Sequence, residues 1–432
     1  MRDILVTVLV FGSLFLILRR PYMGILVWSW LSYMNPHRLS WGFAYNMPFA
    51  QIVAITFFAA MFFNKEPIRL RWDPMIFFIL FFVVWMIITT FLAIYPDNAQ
   101  IQLNKVLKIQ LMVIFTFVMI NTRVRLNQLI WVIVLSIGFF SVKGGVFTIM
   151  TAGAFRVWGP PGTFIQENNS LALATLMVVP LMVYLYHINK GNKYLRWLLA
   201  ASIVLSTVSA IGSQSRGALL AIAAVGFFFW TKSHHKLLSG AMMIFFAFAL
   251  FNFMPQSWHE RMDTISNYEE DASAMGRIHA WKFSINVAND RLTGGGFSSW
   301  SKDMYAIYSP EAKTNVVAHS IYFSVLADHG WIGLLLFLLM LFMAWRNLSR
   351  VIGSGKGDPV SNDSVYLAKM IQVSLVAYMA GGAFLSLSYF DLPWHMIAMS
   401  VILKQIVFMG DAEHVLESSQ NALPHRAGVD NE

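Results

Sequence analysis

Residues 74–94 read PMIFFILFFVVWMIITTFLAI, an uninterrupted apolar run of membrane-spanning length. About 20 apolar residues in an α-helix cross the roughly 30 Å of hydrocarbon in a bilayer. Similar runs occupy residues 126–150 and 319–345. Each run is predicted to be a helix, because backbone groups in lipid must be hydrogen-bonded within their own segment. The alternating segments of about 10 residues that typify an outer-membrane barrel are absent from the sequence.

The composition of the whole chain excludes a soluble enzyme. Of its 432 residues, 57% are hydrophobic and only 12% are charged, whereas soluble domains carry roughly 25% charged residues. We predict an all-α polytopic integral membrane protein with about twelve transmembrane helices, within a range of eleven to thirteen. The predicted runs are 4–18, 22–34, 49–63, 74–94, 104–121, 127–150, 168–188, 196–212, 217–231, 237–254, 319–345, 365–388 and 394–410.

The net charge of +9 reflects membrane topology, and we expect no nucleic-acid partner. Alternate short loops together carry fifteen Lys and Arg residues, while the intervening loops carry four, namely Arg38, Lys105, Arg156 and Arg216. Since cytoplasmic loops are enriched in Lys and Arg, the first set is assigned to the cytoplasm. The chain has no cysteine, which excludes disulfides and thiolate metal sites.

One long polar insert, Pro255–Val317, interrupts the apolar runs and falls on the non-cytoplasmic side. Within it, Ile278, Trp281 and Ile285 have the spacing of one helical face. We therefore expect short amphipathic helices lying over the membrane. The predicted units are an N-terminal transmembrane bundle at 1–254, the loop domain at 255–317, C-terminal transmembrane helices at 318–410 and a disordered cytoplasmic tail at 411–432.

Two arginines on the outer side are candidates for anion binding. Arg216, in Ser215-Arg216-Gly217, starts an apolar run, and a guanidinium beside the free N–H groups of a helix N-terminus suits a phosphate. The alternative is an arginine that extends from a helix end to the membrane surface. Arg277 follows Gly276 in the insert, where an ordinary exposed arginine is equally compatible with the sequence. The glycines Gly294–Gly296 favour a close backbone approach.

His319 is the candidate general base. It is predicted to begin the helix that continues through Ser320 and Ile321, at the boundary of water and membrane. Its unperturbed pKa is near neutrality, which suits proton transfer. Alternatively, its ring bonds a loop carbonyl. No other His, Asp or Glu lies at a metal-ligand spacing from it, so we expect neither a metal site nor a cofactor.

A rigid outer loop precedes the seventh predicted run. It contains Arg156 and the Gly159-Pro160-Pro161-Gly162 segment. The loop leads to Gln166 and Asn168, which are candidates for binding sugar hydroxyls. Capping of the next helix is the alternative role of these polar side chains.

Four motifs follow one another in a fixed order along residues 150–345. They are Ser215-Arg216-Gly217-Ala218-Leu219, Gly276-Arg277 with Trp281, Leu292-Thr293-Gly294-Gly295-Gly296-Phe297, and His319-Ser320 with Tyr322, Leu326, Ala327, Gly330 and Gly333. In this order around one large outer loop, they resemble the O-antigen ligase superfamily. The chain also resembles the branch of O-glycosylation ligases found with exosortase systems. The family pattern has His-Asn where this chain has His319-Ser320.

The resemblance implies glycosyl transfer on the periplasmic face of the bacterial inner membrane, so the loop domain at 255–317 would be periplasmic. It implies a glycan donor on undecaprenyl pyrophosphate, a lipid A–core acceptor and a metal-independent, inverting displacement. Arg216 and Arg277 would bind the pyrophosphate, and His319 would act as the base. Arg156, Gln166, Asn168 and Tyr322 are assigned to substrate binding, and we expect a monomer.

Two alternative functions are compatible with the sequence. An O-antigen polymerase or a protein O-oligosaccharyltransferase would use the same donor with a different acceptor. A polysaccharide transporter or flippase belongs to another class, and it is disfavoured because the chain has few intramembrane charges and no evident inverted repeat.

Overall fold

A computed structural model describes residues 1–64, 72–232, 236–256, 258–259, 272–354 and 359–421. These residues form helices and no β-strand, which confirms the all-α class. The α-helices are α1 (Arg2–Arg19), α2 (Tyr22–Met34), α3 (Phe49–Phe63), α4 (Pro74–Phe91), α5 (Pro96–Met119), α6 (Arg123–Met150), α7 (Asn168–Ile188), α8 (Lys193–Gly212), α9 (Arg216–Lys232), α10 (Lys236–Phe253), α11 (Ala272–Asp290), α12 (Lys302–Tyr308), α13 (Ile321–Ser354), α14 (Pro359–Gly382) and α15 (Asp391–Asn421).

Seven helices in the described part of the chain are long and apolar enough to cross a membrane. They are α4, α5, α6, α7, α8, α13 and the Asn362–Gly382 part of α14. Every predicted run coincides largely with a helix, but some of these helices are short. For example, α2 has 13 residues, and at 1.5 Å per residue it is only about 20 Å long. The helices indicate a multi-pass membrane protein, while the count of twelve crossings stays a prediction.

Several helices extend beyond their predicted bounds, among them α5 and α15. Helix α5 begins at Pro96, eight residues before the predicted start at 104, with Pro96 in its first turn and Asp97 beside the helix N-terminus. Both residues favour a helix start, although the residues that follow are too polar to resemble a membrane run. Helix α15 continues to Asn421, so the first half of the predicted tail at 411–432 is helical. Residues 422–432 lie outside the described residues.

Helix α7 lies at the centre of the bundle, where it packs against α6, α8, α9 and α14. Helices α6 and α8 approach closely because α6 has glycines on the shared face. A Cβ atom at Gly145 would lie 2.0 Å from the carbonyl oxygen of Leu205. Small residues that let helix backbones approach are typical of membrane bundles. This packing holds the C-terminal end of α8, at Gly212, against α6.

The polar insert contains α11 and α12, as the amphipathic pattern predicted, but its small core uses a different face. Ala280, Phe283 and Val287 of α11 are buried together with Tyr305 of α12. The Phe283 and Tyr305 rings are stacked with their centroids 4.6 Å apart. The predicted face with Trp281 is only partly buried and is directed towards α13. Residues 257 and 260–271 of the insert lie outside the described residues.

Helix α13 is broken at Gly330, which has φ 66° and ψ −170°. A break leaves helical carbonyls without their usual donors. Here the glycine cluster of the insert supplies them, since Gly295 N donates to Ala327 O at 2.7 Å and Gly296 N donates to Asp328 O at 3.0 Å. The close backbone approach expected at Gly294–Gly296 is therefore made to the protein's own helix. In this conformation these two N–H groups are not available to a phosphate.

We expect Gly294→Ala to destabilise the protein by about 2 kcal/mol or more, through strain and steric clash. Gly294 has φ 66°, and a Cβ atom there would lie 2.6 Å from Ala327 O. Thermal unfolding of the purified protein in detergent measures the effect. Gly191→Ala is the matched control, because a Cβ atom at Gly191 meets nothing within 4 Å. Equal unfolding temperatures for the two variants would contradict this account.

Candidate functional site

Arg216 is the first residue of α9, directly after a tight turn from α8. The turn includes Gln214 with φ 54°, and its side-chain Nε2 donates to Gly153 O at 3.0 Å. Ser215 Oγ accepts a hydrogen bond from Ala218 N at 3.1 Å, which caps the helix. The helix N-terminus predicted at Arg216 is confirmed, and its guanidinium is partly buried there.

Asn168 holds this turn in place. Its side chain is buried, and Nδ2 donates to the carbonyl oxygen of Ser213 at 2.7 Å. Asn168 thereby ties the start of α7 to the segment before Arg216. Its contact with a sugar hydroxyl stays a prediction, and the amide already has a structural partner.

The loop before α7 is closed by hydrogen bonds between its own ends. Gly159 N donates to Gln166 O at 2.9 Å, and Gly162 N donates to Gln166 Oε1 at 2.7 Å. Val157 N donates to Gly212 O at 3.2 Å, so the loop is also attached to the end of α8. Arg156 and the side chain of Gln166 remain exposed on the loop. Both are therefore accessible to a substrate, as their predicted role requires.

Arg277 lies in the second turn of α11, the long helix of the insert. The neighbouring Gly276 is buried and faces the insert itself, because a Cβ atom there would lie 3.5 Å from Val316 Cγ2. Arg277 is partly buried, and its charge acts on His319. Arg277 is therefore part of the charged surroundings of His319 rather than an arginine in open solvent.

His319 was predicted to begin a helix, and this is wrong by two residues. Helix α13 begins at Ile321, and His319 precedes it in the left-handed region with φ 44°. This conformation is unusual for a residue with a side chain and costs of order 1–3 kcal/mol. The flanking Ala318 and Ser320 are fully buried, so the surrounding structure holds the imidazole in place.

The electrostatic surroundings of His319 keep its ring neutral near pH 7. Burial lowers the pKa of His319 below its ordinary value of 6.5, and the positive charge of Arg277 lowers the pKa further. The negative charge of Glu167, the residue before α7, acts in the opposite direction. A neutral imidazole is the form that can accept a proton.

An aromatic cluster of Trp281, Phe323 and Phe384 joins the elements that carry these residues. Trp281, one turn after Arg277, donates from Nε1 to Ala318 O at 2.9 Å, next to His319. Its ring stacks on Phe323 of α13, with centroids 5.0 Å apart, and also contacts Phe384 after α14.

Phe384 also lies close to the start of α9. A Cβ atom built at Gly217, directly after Arg216, would lie 3.4 Å from Phe384 Cβ. The structure therefore gathers the elements of Arg216, Arg277 and His319, as their order in the sequence suggested. Trp281 is part of a sequence motif, but only the fold shows that it contacts Ala318, Phe323 and Phe384. Phe384 had no signal of its own in the sequence.

Tyr322 is less available than the other predicted residues. It is partly buried, and its hydroxyl donates to Met379 O of α14 at 2.9 Å. It lies on the first turn of α13, so its ring is near the site. No group of three or more His, Asp or Glu side chains within the described ranges could hold a metal ion.

Two families match this chain in comparisons with known proteins. Residues 1–190 match a family of unknown function. Residues 201–338 match a family described as O-antigen ligase, and this range includes Arg216, Arg277 and His319. No curated protein matches the chain.

Proposed function

Since residues 201–338 place the chain in the O-antigen ligase superfamily, we propose that it is a glycosyltransferase on the periplasmic face of the bacterial inner membrane. The donor is a glycan on undecaprenyl pyrophosphate, and the acceptor is the lipid A–core oligosaccharide. The family match supports ligase- or polymerase-type function in general. Beyond this match, we propose the donor, the acceptor, the residue roles and membership of the exosortase-associated branch.

One observation carries these roles. Trp281 and Phe384 bring together three elements, namely α9 with Arg216, α11 with Arg277 and the segment before α13 with His319. Two guanidinium groups suit a pyrophosphate, because each presents a planar fork of donors. A histidine whose pKa is lowered suits the acceptance of a proton at neutral pH.

The reaction is a single displacement. His319 takes the proton from an acceptor hydroxyl while that oxygen bonds to the anomeric carbon of the donor glycan. The bond from this carbon to the pyrophosphate oxygen breaks, so the configuration at the carbon is inverted. Undecaprenyl pyrophosphate leaves with the electron pair, and Arg216 and Arg277 stabilise the charge that develops on it. No metal ion takes part in this mechanism.

Transfer with purified components tests the proposal. Protein, lipid-linked glycan and lipid A–core should yield the joined product, and excess EDTA should leave the rate unchanged. Loss of activity on chelation, restored by magnesium or manganese, would contradict the mechanism. Extension of a growing glycan would instead indicate a polymerase, and modification of serine or threonine would indicate a protein oligosaccharyltransferase. Glycan movement across vesicles without bond formation would indicate a transporter or flippase.

Single cysteines test the predicted topology, because the natural chain has none. We expect a cysteine at Thr314, exposed in the insert, to react with an impermeant thiol reagent in intact spheroplasts. A cysteine at Gly191, in open space between α7 and α8, should react only after permeabilisation. The reverse pattern would place the site on the cytoplasmic face.

The pH dependence of transfer should reflect the pKa of His319 and the charges that shift it. Its pKa is lowered, so we expect kcat/KM to be constant near neutral pH and to fall only below pH 6.5, as the ring gains a proton. Glu167 raises this pKa, so Glu167→Gln should move the falling limb to lower pH. Glu311→Gln is the matched control, because Glu311 faces His279 and Lys282. A limb that moves upward in Glu167→Gln would contradict the assignment.

A further inference from the structure

A cavity of about 480 Å³ is lined mainly by the N-terminal part of the chain, which matches a family of unknown function, and also by Phe390 and Asp391. Its walls come from α2, α5, the start of α15 and the Gly162–Ile165 segment of the loop before α7. Its volume is that of a small-molecule site, for which roughly 300–1,000 Å³ is typical. None of Arg216, Arg277 and His319 lines it, so it is separate from the candidate catalytic residues.

One face of α5 supplies two cations to this cavity. Gln102, Lys105 and Lys108 are spaced three residues apart, so they lie on the same side of the helix, and all three line the cavity. Both lysine side chains are exposed. They share neither an ion pair nor a hydrogen bond with any residue in the described ranges. Two like charges one turn apart repel each other, and a bound anion would relieve that repulsion.

The other polar groups of the cavity compensate this positive charge only in part. Asp391 is the carboxylate among the lining residues, and it is buried and already accepts a hydrogen bond from Ser32. Asp391 also lies in the first turn of α15, where the helix dipole stabilises a negative charge. His37 has a pKa lowered by burial and by Arg38, so its ring is neutral near pH 7. Its buried Nδ1 has no hydrogen-bond partner within the described residues.

Aromatic side chains form the remaining walls. Trp28, Phe164 and Phe390 line the cavity, and the rings of Phe164 and Phe390 contact each other with centroids 6.0 Å apart. Aromatic walls with a few cationic and amide groups suit a ligand that has apolar faces and fixed negative charges. A phosphorylated or carboxylated sugar has both, because its ring hydrogens form an apolar face.

The position of the cavity relates it to the acceptor. The segment that lines it, Gly162–Ile165, continues directly to Glu167, whose charge acts on His319. The segment that lines the cavity is thus joined by one residue to the carboxylate whose charge reaches the proposed base. The donor pyrophosphate is assigned to Arg216 and Arg277, which do not line the cavity.

We propose that this cavity binds the acidic head group of the acceptor glycolipid, with Lys105 and Lys108 contacting its phosphate groups. The proposal rests on the glycosyltransferase function proposed above. It adds an acceptor site to the N-terminal part of the chain. It also predicts that acceptor recognition depends on charge, whereas donor recognition does not depend on these lysines.

Binding to the purified full-length protein in nanodiscs tests the proposal, with phosphorylated lipid A–core as the probe. The double variant Lys105→Gln/Lys108→Gln should raise the Kd of the probe by roughly tenfold, which corresponds to about 1.4 kcal/mol. It should also raise the acceptor KM while leaving kcat and donor binding unchanged. Lys302→Gln/Lys313→Gln is the matched control, because both lysines are exposed in the insert and the charge change is the same.

Further binding measurements with other probes identify the ligand. The same glycolipid after phosphatase treatment should bind weakly, and phosphatidylglycerol should not displace the phosphorylated probe. Equal binding of the probe by the natural protein and the double variant would overturn the proposal, as would equal binding of the phosphatase-treated glycolipid. Displacement by phosphatidylglycerol would assign the cavity to a membrane lipid instead. Lysine-dependent binding without any glycan transfer would support the cavity while overturning the proposed reaction.

Discussion

Replacing His319 by alanine is expected to slow glycan transfer by about 10²–10⁴-fold while leaving donor binding nearly intact, because the reaction loses its general base. Alanine also lacks the polar side chain that helps a residue to adopt positive φ, and His319 has φ 44°. His319→Asn separates the two effects, since asparagine tolerates the left-handed region but cannot accept the proton. Both variants should therefore transfer the glycan slowly. His319→Asn should unfold at the same temperature as the natural protein.

The matched control for this prediction is His279→Ala. His279 also lies in the part of the chain that carries the motifs, but its ring faces Glu311 at 3.7 Å rather than the site. We expect the rate of His279→Ala to stay within about twofold of the natural rate, as for most changes away from a site. If His319→Asn keeps full activity, the ring is not the base, whatever the effect of alanine.

Replacing Arg216 or Arg277 by alanine is expected to weaken binding of the pyrophosphate donor and to reduce transfer by roughly 100-fold or more, because each loses charge stabilisation of the leaving group. Lysine at either position should restore only part of the rate, since an ammonium cannot form the bidentate fork. Measurements of donor binding and of single-turnover rates with the purified protein separate the loss of binding from the loss of transfer rate.

Lys313→Ala is the control for the arginine variants, because Lys313 is an exposed cation of the insert outside the proposed site. It should leave donor binding unchanged. Full activity in Arg216→Ala would remove this arginine from the site and favour its alternative role at a helix end. Full activity in Arg277→Ala would contradict the pyrophosphate role of that residue. The two results are independent of each other.

The helices were predictable to the extent that a local pattern specifies them. The ends of α3 and α7 coincide with the predicted runs 49–63 and 168–188, because Pro48 precedes the first run and a polar asparagine follows each of them. The start of α5 was missed because the residues after Pro96 are polar, so hydropathy cannot distinguish them from a loop. In that case the signals for helix initiation, a proline followed by an aspartate, were the better guide.

The candidate site was predictable as a set of residues but not as an arrangement. The order of the motifs identified Arg216, Arg277 and His319, and the contacts through Trp281 and Phe384 agree with that grouping. Local pattern placed His319 in a helix, whereas the chain holds it at positive φ before α13. The local pattern also suggested substrate binding by Asn168, whose amide in the fold donates to the carbonyl oxygen of Ser213. These features depend on partners distant in sequence.

By itself, the sequence determined the membrane class, the helical architecture and the residues that carry the family motifs, because hydropathy and short motifs are local properties. Only the tertiary structure decided how Gly294–Gly296 is used, since the need for glycine comes from the broken helix at Gly330 about 35 residues later. Only the fold brought Glu167 close enough to act on His319, from 152 positions earlier in the chain. The physical reason is the same in both cases. Hydrogen bonds and charges act over a few ångströms, and packing sets those distances.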